Sequence, residues 1–212
     1  LKETEGCYGF HSLARKISYA GDKEWAKKVY KKAEEKAEDC SDYASLASSI
    51  HREIGDKEWA KKVYKKAEGK AEDSSDFRDL AQSIFENLDD KEGAKKVYKK
   101  SEEKADDCYD FIALAASIHE ELGDKKWAKK VYEKAEQKAQ DFRGLKSFAD
   151  SIFESLGDKE WAKKVYKEGE EMASDSSDYE SLAESVRDNL GDKKWAKLLD
   201  QKAKELEDDD ED

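Results

Sequence analysis

Apolar residues recur at helical spacing along the whole chain, in two stripes that alternate. One runs Tyr43, Leu46, Ala47, Ile50, Ile54, spaced i, i+3, i+4, i+7, i+11, which is a single face of a helix. The other runs Trp25, Ala26, Val29, Tyr30, Ala33, Ala37, with lysine and glutamate on the remaining surface, the pattern of an amphipathic helix. Between the stripes stands Gly-Asp, where glycine tolerates a left-handed turn and aspartate caps the next helix. Both stripes return at a fixed interval. GDKEWAKKVYKKAE at Gly21–Glu34 is repeated unchanged at Gly55–Glu68, and variants begin at Asp89, Gly123, Gly157 and Gly191, always 34 residues on. A fixed period of this size signals stacked units, each too small to bury its stripe alone.

The unit reads as helix A, a tight turn, then helix B. Aligned on the turn, helix A carries Leu46, Leu80, Leu114, Phe148 and Leu182, each followed by alanine, then Ile50, Ile84, Ile118, Ile152 and Val186. Units are expected at roughly 7–40, 41–74, 75–108, 109–142, 143–176 and 177–206, forming one domain over 1–206. Residues 207–212 are expected as a disordered acidic tail. The last helix carries Leu198, Leu199 and Asp200 in place of Lys-Val-Tyr, as a terminal helix with one open side requires. The third unit has Gly93 where the others have Trp, and Asp89 in place of the turn glycine. A helix-interior glycine costs about 1 kcal/mol relative to alanine, so Lys91–Tyr98 is expected to be a soft spot.

The period, the Gly-Asp turn and the small–aromatic–small series Ala26, Tyr30, Ala33, with Tyr43, Leu46, Ala47 and Ile50 in helix A, resemble the tetratricopeptide repeat. The likeness spans Phe10 to Glu207. It implies an all-α, right-handed α-solenoid of six 34-residue helix-turn-helix repeats that binds proteins or peptides in a groove lined by helix A. Three features depart from the family pattern. The repeat-closing proline is absent, helix B carries tryptophan, and from the second unit onward helix A has one extra residue before the turn. The extra residue predicts helix A rotated by about a quarter-turn.

Helix B is nearly copied from unit to unit and reads as scaffold, whereas part of helix A varies. The variable columns are Ala44, Arg78, Ile112, Lys146, Glu180; Ser48, Gln82, Ala116, Asp150, Glu184; and His51, Phe85, His119, Phe153, Arg187. A neighbouring column is Arg52, Glu86, Glu120, Glu154, Asp188. With His11 and Arg15 of the first unit they form the candidate peptide-binding groove, on the face that the resemblance also implies. Drift on a solvated face is the competing reading. The tryptophan column is expected to pack between repeats, against the alternative of an exposed aromatic ladder.

Charge narrows the class of partner. The formal net charge is −12 over 212 residues, half of it from Glu207–Asp212. Duplex nucleic acid, which wants a basic footprint, is a poor fit. A basic protein or peptide suits the acidic C-terminal part of the groove, with Arg15, Arg52 and Arg78 at the other end. No apolar run is long enough to span a membrane. Cys7, Cys40 and Cys108 make no CxxC pair; Cys40 and Cys108 sit two units apart, beyond disulfide reach. That reads as a reducing, cytoplasmic compartment. The first residue is Leu1 and no signal peptide is visible, so the chain reads as trimmed or as part of something longer. The three histidines lack metal-binding spacing, and no phosphate loop is present. The expectation is therefore a non-enzyme with no cofactor and no metal, with a self-associating array through the terminal repeats as the alternative to a binding scaffold.

Overall fold

The computed structural model describes residues 6–210. Among them the secondary structure is helical throughout, in twelve helices that pack as six consecutive pairs. The chain is thus an α-solenoid of helix-turn-helix repeats. It divides into two compact units, Leu1–Ala105 and Asp106–Asp212, of three pairs each.

In the first unit the pairs are α1 (Cys7–Tyr19) with α2 (Lys23–Lys36), α3 (Cys40–Ser49) with α4 (Lys57–Glu68), and α5 (Ser74–Leu88) with α6 (Lys91–Lys104). In the second they are α7 (Cys108–Leu122) with α8 (Lys125–Lys138), α9 (Phe142–Ser151) with α10 (Lys159–Met172), and α11 (Ser176–Ser185) with α12 (Lys193–Asp210). Successive A helices touch within each unit, α1 on α3 and α3 on α5, then α7 on α9 and α9 on α11. The last helix runs to Asp210, into the stretch expected as a tail from 207; residues 211–212 lie outside the described residues.

Aspartate starts these helices. Each B helix opens under a carboxylate that accepts the backbone N–H three residues on, as Asp22 does from Trp25 and Asp192 from Trp195. Five A helices use Asp39, Asp73, Asp107, Asp141 and Asp175 in the same way. In four of these the third residue is also aspartate and reaches back, Asp42 to the Glu38 N–H for example. This resembles a capping box, with the return bond taken from the residue just before the cap.

Both stripes form the core. Leu46, Ala47, Ile50, Leu114, Ala115 and Ile118 are fully buried, and so are Tyr30, Tyr98, Tyr132 and Tyr166 of the B helices. The extra helix-A residue is accommodated locally, at the end of the helix. Ile50–Ile54, Ile152–Leu156 and Val186–Leu190 form π-helical turns that absorb one residue. Upstream of them the burial pattern is that of the first pair: Ala14 and Ile17 are buried as Ala47 and Ile50 are. In α5 and α7 the ordinary helix continues and buries Leu88 and Leu122, whereas Ile54, Leu156 and Leu190 after the π turns are half-buried.

The three cysteines are free and buried. They share one register, the first residue of an A helix, where Ser74 and Phe142 also sit buried.

Candidate peptide-binding face

The turn residues place the variable columns of helix A beside the core stripe, and none of the 22 sequence-selected residues is buried. In the first unit, His11 and Arg15 lie on α1, Ala44 and Ser48 on α3, His51 and Arg52 in the π turn, and Arg78, Gln82, Phe85 and Glu86 on α5. His11, Arg15, Ala44, Ser48 and Arg52 line one depression of about 360 Å³. Its remaining wall is Cys40, Ser41, Ser45, Ser49, Asp76, Asp79, Leu80 and Ser83. His51, Arg78, Gln82, Phe85 and Glu86 do not line it; Gln82 donates to Glu86 at 2.9 Å, and the buried Nδ1 of His51 has no partner.

Below the depression sits Glu53, a residue the sequence reading passed over. Its side chain is 4% exposed and takes Arg15 at 3.1 Å and Arg52 at 3.5 Å. The Tyr30 hydroxyl donates to its other oxygen. Burial, then this carboxylate, pushes the Tyr30 pKa up. The guanidinium charges at this end are therefore partly answered from within, and Arg78 is likewise paired with Asp79 at 2.9 Å. His11 donates to or accepts from Ser49 at 2.8 Å and leans on Tyr30. Burial first, and Arg15 second, hold the His11 pKa below its ordinary value.

Glu53 belongs to a column that recurs two residues before each turn: Glu53, Asn87, Glu121, Ser155, Asn189. Glu53, Asn87, Ser155 and Asn189 meet the hydroxyl of the preceding B-helix tyrosine. Tyr132 donates to Ser155 at 3.0 Å, and Asn189 donates to Tyr166 at 2.8 Å. The signal was available as a polar residue that interrupts the apolar end of helix A in five units. Tyr8 and Tyr19, 82% and 72% exposed, hold on α1 the registers of Ser41 and Arg52 and were also missed.

In the second unit, Ile112, Ala116, His119 and Glu120 lie on α7, Lys146 and Asp150 on α9, Phe153 and Glu154 in its π turn, Glu180 and Glu184 on α11, and Arg187 and Asp188 in the last π turn. Three groups are engaged internally. Asp150 takes Lys146 at 2.9 Å and the Tyr166 hydroxyl at 2.5 Å; Lys159 stands over Phe153; one guanidinium nitrogen of Arg187 donates to both oxygens of Asp200. Glu120, Glu154, Glu180, Glu184 and Asp188 are exposed and have no ion pair among the described residues.

The other face of the pairs holds the repeats together. Trp59, Trp161 and Trp195 are half-buried and donate their indole N–H to Glu34, Glu136 and Glu170 of the preceding B helix. A lysine completes each clamp: Lys66, Lys164 and Lys202 pair with those same glutamates. Trp59 and Trp161 also meet Tyr30 and Tyr132 edge-on. Trp59, Trp161 and Trp195 thus pack between repeats, as expected, whereas Trp25 is 54% exposed.

Residues 109–137, the fourth helix pair, match the family described as Tetratricopeptide repeat. With the stacked pairs, this makes the chain tetratricopeptide-repeat-like. No curated protein matches it. Among the described residues no helix is long and apolar enough to cross a membrane, and no cluster of His, Cys, Asp and Glu could hold a metal ion.

Proposed function

We propose that the chain is a non-catalytic scaffold that holds a protein or peptide on the helix-A face, and that the ligand is basic where it meets the second unit. The observation that carries this is the row Glu120, Glu154, Glu180, Glu184 and Asp188, exposed on one side of successive A helices without internal cations. A protein that gains nothing from five unpaired carboxylates on one face would be expected to intersperse lysines there, as this chain does on its B helices. Complementary charge serves association rate and specificity more than affinity. Three free buried thiols suit a reducing compartment such as the cytoplasm.

The test uses a Lys/Arg-rich helical peptide and fluorescence anisotropy. Glu120→Lys with Glu154→Lys should abolish binding while helicity by circular dichroism is kept. Reversal of two exposed α10 carboxylates, Glu160→Lys with Glu171→Lys, should change it little. Equal losses from the two pairs would mean that overall charge, and not this face, attracts the peptide.

A further inference from the structure

Three successive A helices of the first unit, α1, α3 and α5, wall the depression of about 360 Å³, and its polar groups are unevenly matched. Each carboxylate there has a donor. Glu53, beneath it, takes Arg15, Arg52 and the Tyr30 hydroxyl. On the α5 wall, Asp79 takes the Nε and Nη2 of Arg78 at 3.2 and 2.9 Å, and Asp76 accepts the Glu72 backbone N–H at 2.9 Å.

The donors are in surplus. Arg15 commits its Nε to Glu53 at 3.1 Å and meets the Tyr19 hydroxyl, and Arg52 reaches Glu53 through Nη2 at 3.5 Å. Both side chains are about half-exposed, at 45% and 56%, so most of their N–H groups stay open. Ser41 and Ser45, on the α3 wall, are exposed, and their hydroxyls have no partner among the described residues. Ser48 and Ser49, by contrast, are engaged by Asn87 and His11 at 2.7 and 2.8 Å.

We infer that this depression binds a phosphate monoester, with Arg15 and Arg52 on the phosphate oxygens and the hydroxyls of Ser41 and Ser45 completing the contact. A carboxylate presents its two oxygens in one plane and is served by a single guanidinium fork. Two guanidiniums and two free hydroxyls are used more fully by a group with three acceptor oxygens out of one plane. Glu53 is what holds the arginines ready. Its side chain is 4% exposed, one oxygen takes both guanidiniums, and it cancels only one of their two charges. A free phosphate ester and a phosphorylated residue of a partner share this chemistry, and the experiment below separates them. The site is independent of the acidic row in the second unit, so either can fail while the other holds.

Nitrogen-edited NMR titration of the full chain reads the site directly, using O-phosphoserine, inorganic phosphate and a Gly/Ser peptide with one phosphoserine. The amides of Ser41, Ser45 and Arg52 and the Nε–H of Arg15 should shift and saturate. Arg15→Gln and Arg52→Gln should each weaken binding about tenfold or more, the loss of a charge-assisted contact. Either change also frees Glu53 and could unfold the unit, so Ser45→Ala, at an exposed hydroxyl without an internal partner, serves as the second variant; it should weaken binding about threefold. Lys65→Gln, on the B-helix surface, should leave binding unchanged. Saturation by the peptide alone assigns the site to a phosphorylated protein, and saturation by the small molecules assigns it to a free phosphate ester. The absence of any saturable shift overturns the inference. So do equal losses from Lys65→Gln and Arg52→Gln, or equal binding of the same peptide with glutamate in place of phosphoserine.

Discussion

Asp89 holds φ 51°, the left-handed conformation that the other five turns give to glycine. A side chain there costs about 1–2 kcal/mol, and glycine adopts this conformation at the other five turns. Asp89→Gly should therefore raise the urea midpoint with an unchanged slope, a gain of about 1 kcal/mol; a lower midpoint would mean that the Asp89 side chain makes a compensating contact. His11 supplies a pH prediction. It faces Arg15, Arg52, Glu53 and Asp42, and its folded pKa is depressed, chiefly by burial. The unfolded chain thus binds the proton more readily, so this residue's contribution is complete above the unfolded value of about 6.5 and is lost as pH falls below it. Between pH 7.5 and 5.5 the wild type should lose more thermal stability than His11→Gln. Burial also pushes the Cys7 and Cys40 thiols up to about 12, with Asp42 and Asp76 adding to it. Iodoacetamide at pH 8 should label them far more slowly in the native protein than after unfolding, because the thiolate is the reacting form.

At the scale of the helix, α6 tests how much the tryptophan clamp contributes. It keeps the full span Lys91–Lys104 despite Gly93, and Glu68 waits opposite with Lys100 already in place. Gly93→Trp should restore both helix propensity and the indole bond, raising stability by more than the ~1 kcal/mol that propensity alone provides. The new Cβ would lie 2.7 Å from the Asp90 carboxylate oxygen, the mobile end of a side chain that adopts a compatible position at every tryptophan-bearing turn. In the wild type, amide exchange over Lys91–Tyr98 should be faster than over Lys125–Tyr132; equal rates would show that the glycine is harmless. These helices were legible in the sequence because the Ala26, Val29, Tyr30, Ala33 spacing and the capping aspartates are local signals. Glu53 and its column were not, since their meaning depends on a tyrosine 23 residues earlier and one helix away. The π turns were legible only as an extra residue. Spacing alone does not express whether the last turn widens: Ile50 and Ile152 begin π turns, whereas Ile84 and Ile118, buried in the same register, sit in ordinary helix.

At the scale of the molecule, what distinguishes the two faces is where charge is left unanswered. Along the B helices, Glu34, Glu68, Glu136 and Glu170 are answered by lysines of the next repeat. Even Glu168, which replaces a lysine in the fifth repeat, is met by Lys164 at 3.4 Å. Glu120, Glu154, Glu180, Glu184 and Asp188 on the second unit's helix-A face have no such answer among the described residues, on a chain of net charge −12. If they recruit a basic helix, their effect should be felt at a distance and should be screened. Raising the salt from about 0.1 M to 1 M shortens the Debye length from about 10 Å to 3 Å. The association rate of a Lys/Arg-rich peptide should then fall steeply while its dissociation rate changes much less, because dissociation is governed by short-range contacts. The Glu120→Lys, Glu154→Lys variant should show a shallower salt dependence than the wild type. A salt-independent association rate for the wild type would instead place recognition on the apolar members of the same face, Ile112, Ala116 and Phe153.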